Sequence, residues 1–212
     1  MREKLRGLYV IIDPQVAGER DPAWIAAEAI AGGACLIQWR DKLREKGLQL
    51  PTLATISETC RARGVPLIVN DDVDVALAIG ADGVHVGQKD LPVAAVRRIV
   101  PRAWIIGAST NNVDEARQAA ADGADYVSVG NLFGTTSKDD TRPATLDVLR
   151  AVKAAVSLPV CGIGGISESN IRSVAEAGAD MASVISAVAS ADDPRAAARR
   201  LAAAFEVQEQ RR

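Results

Sequence analysis

The sequence predicts a closed barrel of eight parallel β-strands, each followed by a helix, and three observations support this. Short runs of aliphatic and β-branched residues alternate with Ala-rich segments that have helical length and period. The strand-like runs lack polar alternation, as expected for strands buried on both faces of a parallel sheet. Eight such units can be counted along the 212 residues, and eight units close into a (β/α)8 TIM barrel. An open doubly wound sheet remains the alternative.

The strands are predicted in chain order from the apolar runs. They are Leu8–Ile12, Cys35–Trp39, Pro66–Val69, Gly83–Val86, Trp104–Gly107, Tyr126–Val129, Pro159–Ile163 and Met181–Ile185. Helices are predicted between them from amphipathic segments such as WIAAEAIA, LATISETCRARG, DEARQAAADG and IRSVAEAG. The third and fourth units must be short, because few residues separate Asn70 from Gly83.

A repeated Gly-Ala-(Asp) step comes before four of these strands. It occurs at Gly33-Ala34, Gly80-Ala81-Asp82, Gly123-Ala124-Asp125 and Gly178-Ala179-Asp180. Each glycine follows an Ala-rich segment, where a left-handed helix C-cap costs glycine little. The repeat therefore predicts the order helix, glycine cap, strand.

Length and composition indicate one globular domain over residues 1–212, with a core from about 8 to 201. The net charge of -2 argues against a nucleic-acid-binding or membrane-binding surface. The apolar run after the basic N-terminal residues is too short for a signal peptide or a membrane span. We therefore expect a cytoplasmic protein that acts on small molecules, and the sequence leaves open whether copies of the chain associate.

Polar residues cluster where the predicted strands end, which is where (β/α)8 barrels carry their reacting groups. In chain order these residues are Gln38, Arg40, Lys42, Asn70, Asp71, Gln88, Asp90, Ser109, Thr135, Thr136, Ser137 and Lys138. Cations from Arg40, Lys42 and Lys138, mixed with the carboxylates of Asp71 and Asp90, suit a diphosphate held with Mg²⁺. Mn²⁺ would accept the same ligands.

Simpler interpretations exist for each of these charged groups. Asp71 and Asp90 could cap the helices that follow them. Arg40 and Lys42 could form a solvated strand end, and Lys138 lies in a loop already rich in Lys and Asp.

A phosphate site is predicted across the barrel mouth, at Gly164-Gly165 after the seventh strand and Ser186 after the eighth. Glycines let backbone N–H groups approach phosphate oxygens, and a following helix N-terminus adds a favourable dipole. A tight turn without a ligand is the alternative. His85, the single histidine, lies inside the run GVHVG, where a structural role is favoured over a catalytic one.

These motifs, taken in order, resemble those of the thiamine-phosphate synthase family. The matching stretches are Gln38-Trp39-Arg40-Asp41-Lys42, Asn70-Asp71, GADGVHVGQKDLP, Gly107-Ala108-Ser109, FGTTSK, GIGGI and VISA. The resemblance runs from Leu8 to about Leu201. It implies transfer of a pyrimidinylmethyl group from 4-amino-2-methyl-5-(diphosphooxymethyl)pyrimidine to 4-methyl-5-(2-phosphoethyl)thiazole, with release of pyrophosphate and no protein nucleophile.

The resemblance also implies residue roles. Gln38, Trp39, Arg40, Asp41, Lys42, Asn70, Ser109 and Lys138 would contact the pyrimidine diphosphate, while Thr135, Ser137, Gly165, Ile185 and Ser186 would hold the thiazole phosphate. Thr136 would also bind substrate. Asp71 and Asp90 would bind Mg²⁺. Among these residues, Arg40, Lys42, Ser109 and Lys138 would be catalytic.

Two other functions compete with the synthase. One is a related thiazole tautomerase, which would not need the diphosphate and metal residues. The other is a non-catalytic phosphate-binding barrel with a regulatory or scaffold role. The joint presence of Arg40, Lys42, Asp71, Asp90 and Lys138 favours the synthase.

Overall fold

The computed structural model describes residues 5–134 and 142–206. Within them, parallel strands follow one another in chain order around a closed barrel. The strands are β1 (Gly7–Ile12), β2 (Ala34–Trp39), β3 (Leu67–Asn70), β4 (Gly83–Val86), β5 (Ile105–Thr110), β6 (Tyr126–Val129), β7 (Val160–Ile163) and β8 (Met181–Val184). The barrel closes where β1 pairs with β8, from Gly7 opposite Met181 to Val10 opposite Val184. The prediction of a (β/α)8 barrel is confirmed, and the open sheet is excluded.

Helices connect successive strands and cover the outside of the barrel. They are α1 (Pro14–Ala17), α2 (Pro22–Ala31), α3 (Lys46–Arg63), α4 (Val73–Ala78), α5 (Val93–Ile99), α6 (Val113–Ala121), α7 (Leu146–Ala155), α8 (Ile171–Glu176), α9 (Ser186–Ala189) and α10 (Pro194–Glu206). The short third unit is confirmed, since α4 has 6 residues. Among the helices of the described ranges, none combines the length and apolar character that a bilayer span requires.

Alternation along the strands creates two separate cores. One face of each strand packs against the helices in a large cluster that includes Ile37, Trp39 and Ile106. The opposite face fills the barrel interior with a smaller cluster: Leu5, Tyr9, Leu36, Ile68, Ile105, Tyr126, Cys161 and Met181. Neighbouring residues on one strand therefore have different surroundings, so the phase of a strand decides which side chains can reach the cavity.

The Gly-Ala-Asp repeat ties neighbouring strands together at their amino ends. Its four glycines, at positions 33, 80, 123 and 178, all have positive φ angles, as the predicted caps require. The aspartate side chains act as well: Asp82 accepts from the backbone N–H of Leu67 at 2.9 Å. Asp125 and Asp180 accept equivalent hydrogen bonds, both 2.8 Å, from the backbone N–H groups of Ile106 in β5 and Val160 in β7. These carboxylates stabilise the end of the barrel away from the candidate site.

The strands, the helices between them and the α10 helix, which packs on α2 and β1, all belong to one barrel. The prediction of a single domain over residues 1–212 stays a prediction, because the described ranges begin at residue 5 and end at residue 206.

Candidate active site

A cavity of about 450 Å³ opens at the carboxyl ends of the strands. It brings together most of the residues that the sequence predicts for the site. Those that line it are Gln38, Arg40, Lys42, Asn70, Asp71, Asp90, Ser109, Gly165, Ile185 and Ser186. Thr135, Thr136, Ser137 and Lys138 lie outside the described residues. Trp39 and Asp41 are described but do not line the cavity.

Arg40 is held at the cavity wall by a carboxylate from the neighbouring strand end. Asp13 follows β1 directly, is 1% exposed, and accepts an ion-paired hydrogen bond from Nη1 of Arg40. The backbone N–H of Arg40 also donates to the carbonyl of Ile12 at 3.0 Å. The guanidinium is thereby oriented, and its remaining donors are available to an anion.

A pair of carboxylates lies next to these cations. Asp71 has a φ of 59° and accepts hydrogen bonds from Lys42 and, at 2.6 Å, from Nδ2 of Asn70. Burial raises the pKa of Asp71 to about 6; the Lys42 ammonium opposes this rise, and the nearby Asp90 carboxylate adds to it. Asp90 is oriented by the backbone N–H of Gly87 at 2.8 Å. Two close acidic groups whose charges repel each other suit a shared divalent cation.

Trp39 and Asp41 support the site from outside rather than lining it. Trp39 is 1% exposed and its indole N–H donates to Gln49 at 2.8 Å on the helix side of β2, because Gln38 occupies the inner face. Asp41 accepts from the backbone N–H groups of Leu43 and Arg44, both at 3.1 Å, and from the Arg44 guanidinium. These contacts shape the loop that carries Arg40 and Lys42. Direct substrate contact by Trp39 and Asp41 stays a prediction, because neither residue lines the cavity in this structure.

The opposite wall of the cavity is built by two loops that pack on each other. Gly164 and Gly165 have φ angles of 103° and 63°. A Cβ at Gly165 would lie 2.0 Å from the carbonyl oxygen of Gly134. The backbone N–H of Phe133 donates to the carbonyl of Gly164 at 3.1 Å. Only glycine fits this approach, and the loop after β7 is therefore placed against the segment that leaves β6.

His85 lies on the inner face of β4, at the floor of the cavity. Its Nδ1 lies 2.9 Å from the Tyr126 hydroxyl, and its Nε2 lies 2.9 Å from Oγ of Ser109. Tyr126 in turn contacts the Tyr9 hydroxyl at 2.9 Å, and Gln38 donates to Tyr9 at 2.5 Å. The predicted structural role of His85 agrees with these bonds, but its ring also lines the cavity.

Several residues that line the cavity, or that orient a side chain lining it, were not predicted from the sequence. Asp13 could have been found, because it follows a predicted strand just as Asn70 and Asp71 do. Asn111 and Arg142 carried no such signal: Asn111 donates to the carbonyl of Arg142 at 2.9 Å, and Arg142 forms two 2.8 Å bonds to Glu115. They meet only because Arg142 lies beside the end of β6, where its carbonyl also accepts from the backbone N–H of Asn131 at 2.9 Å.

The cavity combines a wall that carries the cations Arg40 and Lys42, an acidic pair and a glycine-rich wall. Within residues 5–134 and 142–206 no group of three or more His, Cys, Asp or Glu side chains comes together as a metal site. Asp71 and Asp90 would supply two carboxylate ligands to a cation, and water or phosphate oxygens would complete its coordination, as is usual for Mg²⁺.

Comparisons with known proteins agree with this geometry. The family model for thiamine monophosphate synthase matches residues 8–188. A thiamine-phosphate synthase from Roseiflexus castenholzii is 53% identical over 198 residues, covering 92% of this chain and 87% of the relative. The relative from Chloroflexus aurantiacus is 46% identical over 205 residues, covering 96% and 94%.

A solved structure gives the same result. Thiamine phosphate pyrophosphorylase from Pyrococcus furiosus superposes with a TM-score of 0.89 at 38% identity, covering 97% of this chain and 98% of that one. The chain therefore belongs to the thiamine monophosphate synthase family and is an enzyme of the transferase class.

Proposed function

We propose that the enzyme condenses 4-amino-2-methyl-5-(diphosphooxymethyl)pyrimidine with 4-methyl-5-(2-phosphoethyl)thiazole to give thiamine phosphate and pyrophosphate. The observation that carries this proposal is the juxtaposition of Arg40, Lys42 and the Asp71–Asp90 pair on one wall with Gly164-Gly165 and Ser186 on the other. Each wall suits one of the two phosphorylated substrates. We further propose that the reaction takes place in the cytoplasm.

On the first wall, Arg40 and Lys42 would bind the diphosphate. Because Asp13 orients the Arg40 guanidinium, its remaining donors would face the position where charge develops on the leaving group. Asp71 and Asp90 would hold Mg²⁺, which neutralises phosphate charge when bound. Ser109 and Gln38 would position the pyrimidine, and Lys138, which follows β6 in the sequence, would add a further cation.

On the second wall, the backbone of Gly165, Ile185 and Ser186 would bind the thiazole phosphate. Thr135, Thr136 and Ser137 would contribute to the same pocket. The substitution itself would be dissociative: the carbon–oxygen bond breaks with its electron pair going to the diphosphate, and the thiazole nitrogen lone pair forms the new carbon–nitrogen bond. No proton transfer or protein nucleophile is needed, so the residues act by positioning and electrostatics.

The test is pyrophosphate release by the purified enzyme, measured with each substrate alone and with both, with and without Mg²⁺. We expect release only with both substrates and the metal, together with thiamine phosphate as the identified product. Turnover of the thiazole phosphate without pyrophosphate release would instead indicate a tautomerase. Binding of the thiazole phosphate without any reaction would indicate a binding barrel.

Asp90→Asn tests the proposed metal ligand while keeping an acceptor for the Gly87 N–H. Loss of one carboxylate should lower kcat/KM about a hundredfold and raise the Mg²⁺ concentration required. Asp72→Asn is the matched control, because Asp72 pairs with Lys46 outside the cavity. Equal activity of the two variants would remove Asp90 from the metal site.

A further inference from the structure

A continuous chain of hydrogen bonds crosses the floor of the cavity and joins two of its polar groups. It runs from Gln38 to Tyr9, then to Tyr126, His85 and Ser109. The successive distances are 2.5 Å for Gln38 to Tyr9 and 2.9 Å for each of the other three links. Both ends, Gln38 and Ser109, line the cavity. Its central hydroxyls belong to the barrel interior, where Tyr9 and Tyr126 are 1% and 0% exposed.

The direction of this chain follows from proton counting. The amide nitrogen of Gln38 can only donate, so the Tyr9 oxygen accepts and sends its single proton to Tyr126. Tyr126 then has one proton left for Nδ1 of His85. A neutral imidazole that accepts at Nδ1 carries its proton on Nε2 and donates it to Ser109. The Ser109 hydroxyl proton is left to point into the cavity.

The opposite direction of donation has a cost at the Gln38 end of the chain. If Tyr126 donated to Tyr9, the Tyr9 oxygen would accept twice and its own proton would be buried without an acceptor. Rotating the Gln38 amide by 180° would give the Tyr9 proton an acceptor. The amide would then present its N–H to the cavity, and the donor and acceptor of every hydrogen bond as far as Ser109 would be exchanged. The polarities of Gln38 and Ser109 are therefore coupled, and the proton position on His85 reports which state is present.

Packing and burial keep the two phenols in place and protonated. A Cβ added at Gly107 would lie 2.3 Å from the Tyr126 hydroxyl oxygen, so this glycine leaves space for the tyrosine that joins the chain of hydrogen bonds. The Tyr9 and Tyr126 rings meet edge-on, with centroids 6.0 Å apart. Burial raises the pKa of both tyrosines well above the ordinary value. Both hydroxyls thus remain proton donors at any working pH.

We propose that Tyr9 and Tyr126 are positioning residues. Their hydrogen bonds select the tautomer of His85 that carries its proton on Nε2. As a result, the cavity floor presents a carbonyl oxygen at Gln38 and a hydroxyl donor at Ser109. The Gln38 oxygen Oε1 is buried and has no hydrogen-bond partner among the residues that the structure describes. A ligand N–H is the group that would satisfy it. The consequence for turnover rests on the function proposed above, whereas the tautomer itself does not.

The tautomer can be read directly, because His85 is the only histidine in the chain. We would label the full-length protein with ¹⁵N-histidine and record imidazole ¹⁵N shifts and long-range ¹H–¹⁵N couplings without ligand. The expected result is a protonated Nε2 and an unprotonated Nδ1. A proton on Nδ1, or a doubly protonated ring at neutral pH, would overturn the proposal.

Tyr126→Phe removes one hydroxyl while keeping the ring, and Met181→Leu is the matched control because Met181 belongs to the same interior cluster without a hydroxyl. In Tyr126→Phe the ¹⁵N shifts should move toward those of an exchanging pair of tautomers. In Met181→Leu they should stay as in the wild type. Unchanged ¹⁵N shifts in Tyr126→Phe would contradict the proposal that Tyr126 sets the tautomer of His85.

The kinetic readout is made on the same proteins. Misorientation of Gln38 and Ser109 should lower kcat about tenfold or more in Tyr126→Phe, with a smaller change in KM, because positioning is lost rather than anion binding. Unchanged kcat in Tyr126→Phe, with an active wild type, would overturn the positioning role. An inactive wild type with the expected tautomer would instead overturn the proposed function, while the proposed hydrogen-bond chain and tautomer would still be supported.

Discussion

Arg40 reaches the cavity with a buried partner behind it. The Asp13 carboxylate is 1% exposed and the Arg40 side chain 12%, so water screens this ion pair only slightly. Asp13 also accepts from the backbone N–H of Gln15 at 3.0 Å and so caps α1. One side chain therefore starts a helix and orients the cation that we assign to the diphosphate.

Asp13→Asn separates these two roles, because asparagine can still cap the helix but cannot pair with the guanidinium. Leaving Arg40 without its counter-charge should destabilise the protein by about 1–3 kcal/mol. The variant should also lower kcat/KM about tenfold, because the guanidinium is no longer held in one orientation. Chemical denaturation and steady-state kinetics would measure the two effects.

The control for this prediction is Asp21→Asn. Asp21 precedes Pro22 as Asp13 precedes Pro14, and it caps α2 by accepting from Ala23 at 2.9 Å, but it lies away from the cavity. We expect little change in its kinetics. Equal effects of the two substitutions would show that the Arg40 ion pair does not contribute to turnover.

Residues next to each other on a strand show the limit of what could be predicted at this scale. The run CLIQW has apolar residues on both faces, so it does not show that Gln38 faces the interior and Trp39 the helices. Buried parallel strands lack the polar alternation that would reveal their phase. That phase depends on which face meets the other strands' interior side chains.

At the scale of elements, the loop after β7 is shaped by its contact with the segment that leaves β6. Gly165→Ala would force a Cβ to within 2.0 Å of the Gly134 carbonyl oxygen, in addition to the left-handed backbone strain of about 1–2 kcal/mol. We expect the loop to shift and KM for the thiazole phosphate to rise about tenfold, measured at saturating pyrimidine diphosphate.

Gly80→Ala provides the matched control for Gly165→Ala. The φ of Gly80, 60°, is close to the 63° of Gly165, but a Cβ at Gly80 meets nothing within 4 Å. Backbone strain should thus be similar in the two variants, and only Gly165→Ala should alter KM. A rise in KM in both variants would indicate that the change in KM comes from general destabilisation.

The Arg142–Glu115 pair connects the chain after residue 141 to the start of α6. The Arg142 guanidinium lowers the pKa of Glu115 below its ordinary 4.5. A carboxyl whose pKa is lowered by folding adds stability above its ordinary pKa and loses it as the pH falls through the lowered value.

Glu115→Gln should therefore be less stable than the wild type at pH 6 to 7, by at most about 1 kcal/mol because Arg142 is half exposed. The difference should vanish as the pH falls below 4.5 through the lowered pKa. Denaturant titrations from pH 7 to pH 3 would measure it. Glu168→Gln, from the more exposed Glu168–Arg200 pair, is the control and should show a smaller difference; a difference that grows in acid would contradict the assignment.

For the whole molecule, the larger core lies between the strands and the helices, separate from the cavity. Ile106 belongs to it and is 0% exposed. Ile106→Ala should lower the free energy of unfolding by about 2–5 kcal/mol and leave kcat and KM unchanged in the folded fraction. Denaturation and kinetics on the same sample would check both parts.

Ile99→Ala deletes the same atoms from a side chain that is 55% exposed, and it serves as the control. Its stability should stay within about 0.5 kcal/mol of the wild type. Comparable destabilisation of the two variants would contradict the assignment of Ile106 to the main core.

The sequence by itself determined the barrel, the order of its strands, the glycine caps and most of the charged residues that line the cavity. These features have local causes: strand ends, helix caps and apolar runs are each set by a few neighbouring residues. The tertiary structure alone decided that Asp13 orients Arg40, that Trp39 and Asp41 stay outside the cavity, and that Gln38 and Ser109 share one hydrogen-bond chain. Those relations join residues from different strands, so they exist only once the barrel has closed and set the register between its strands.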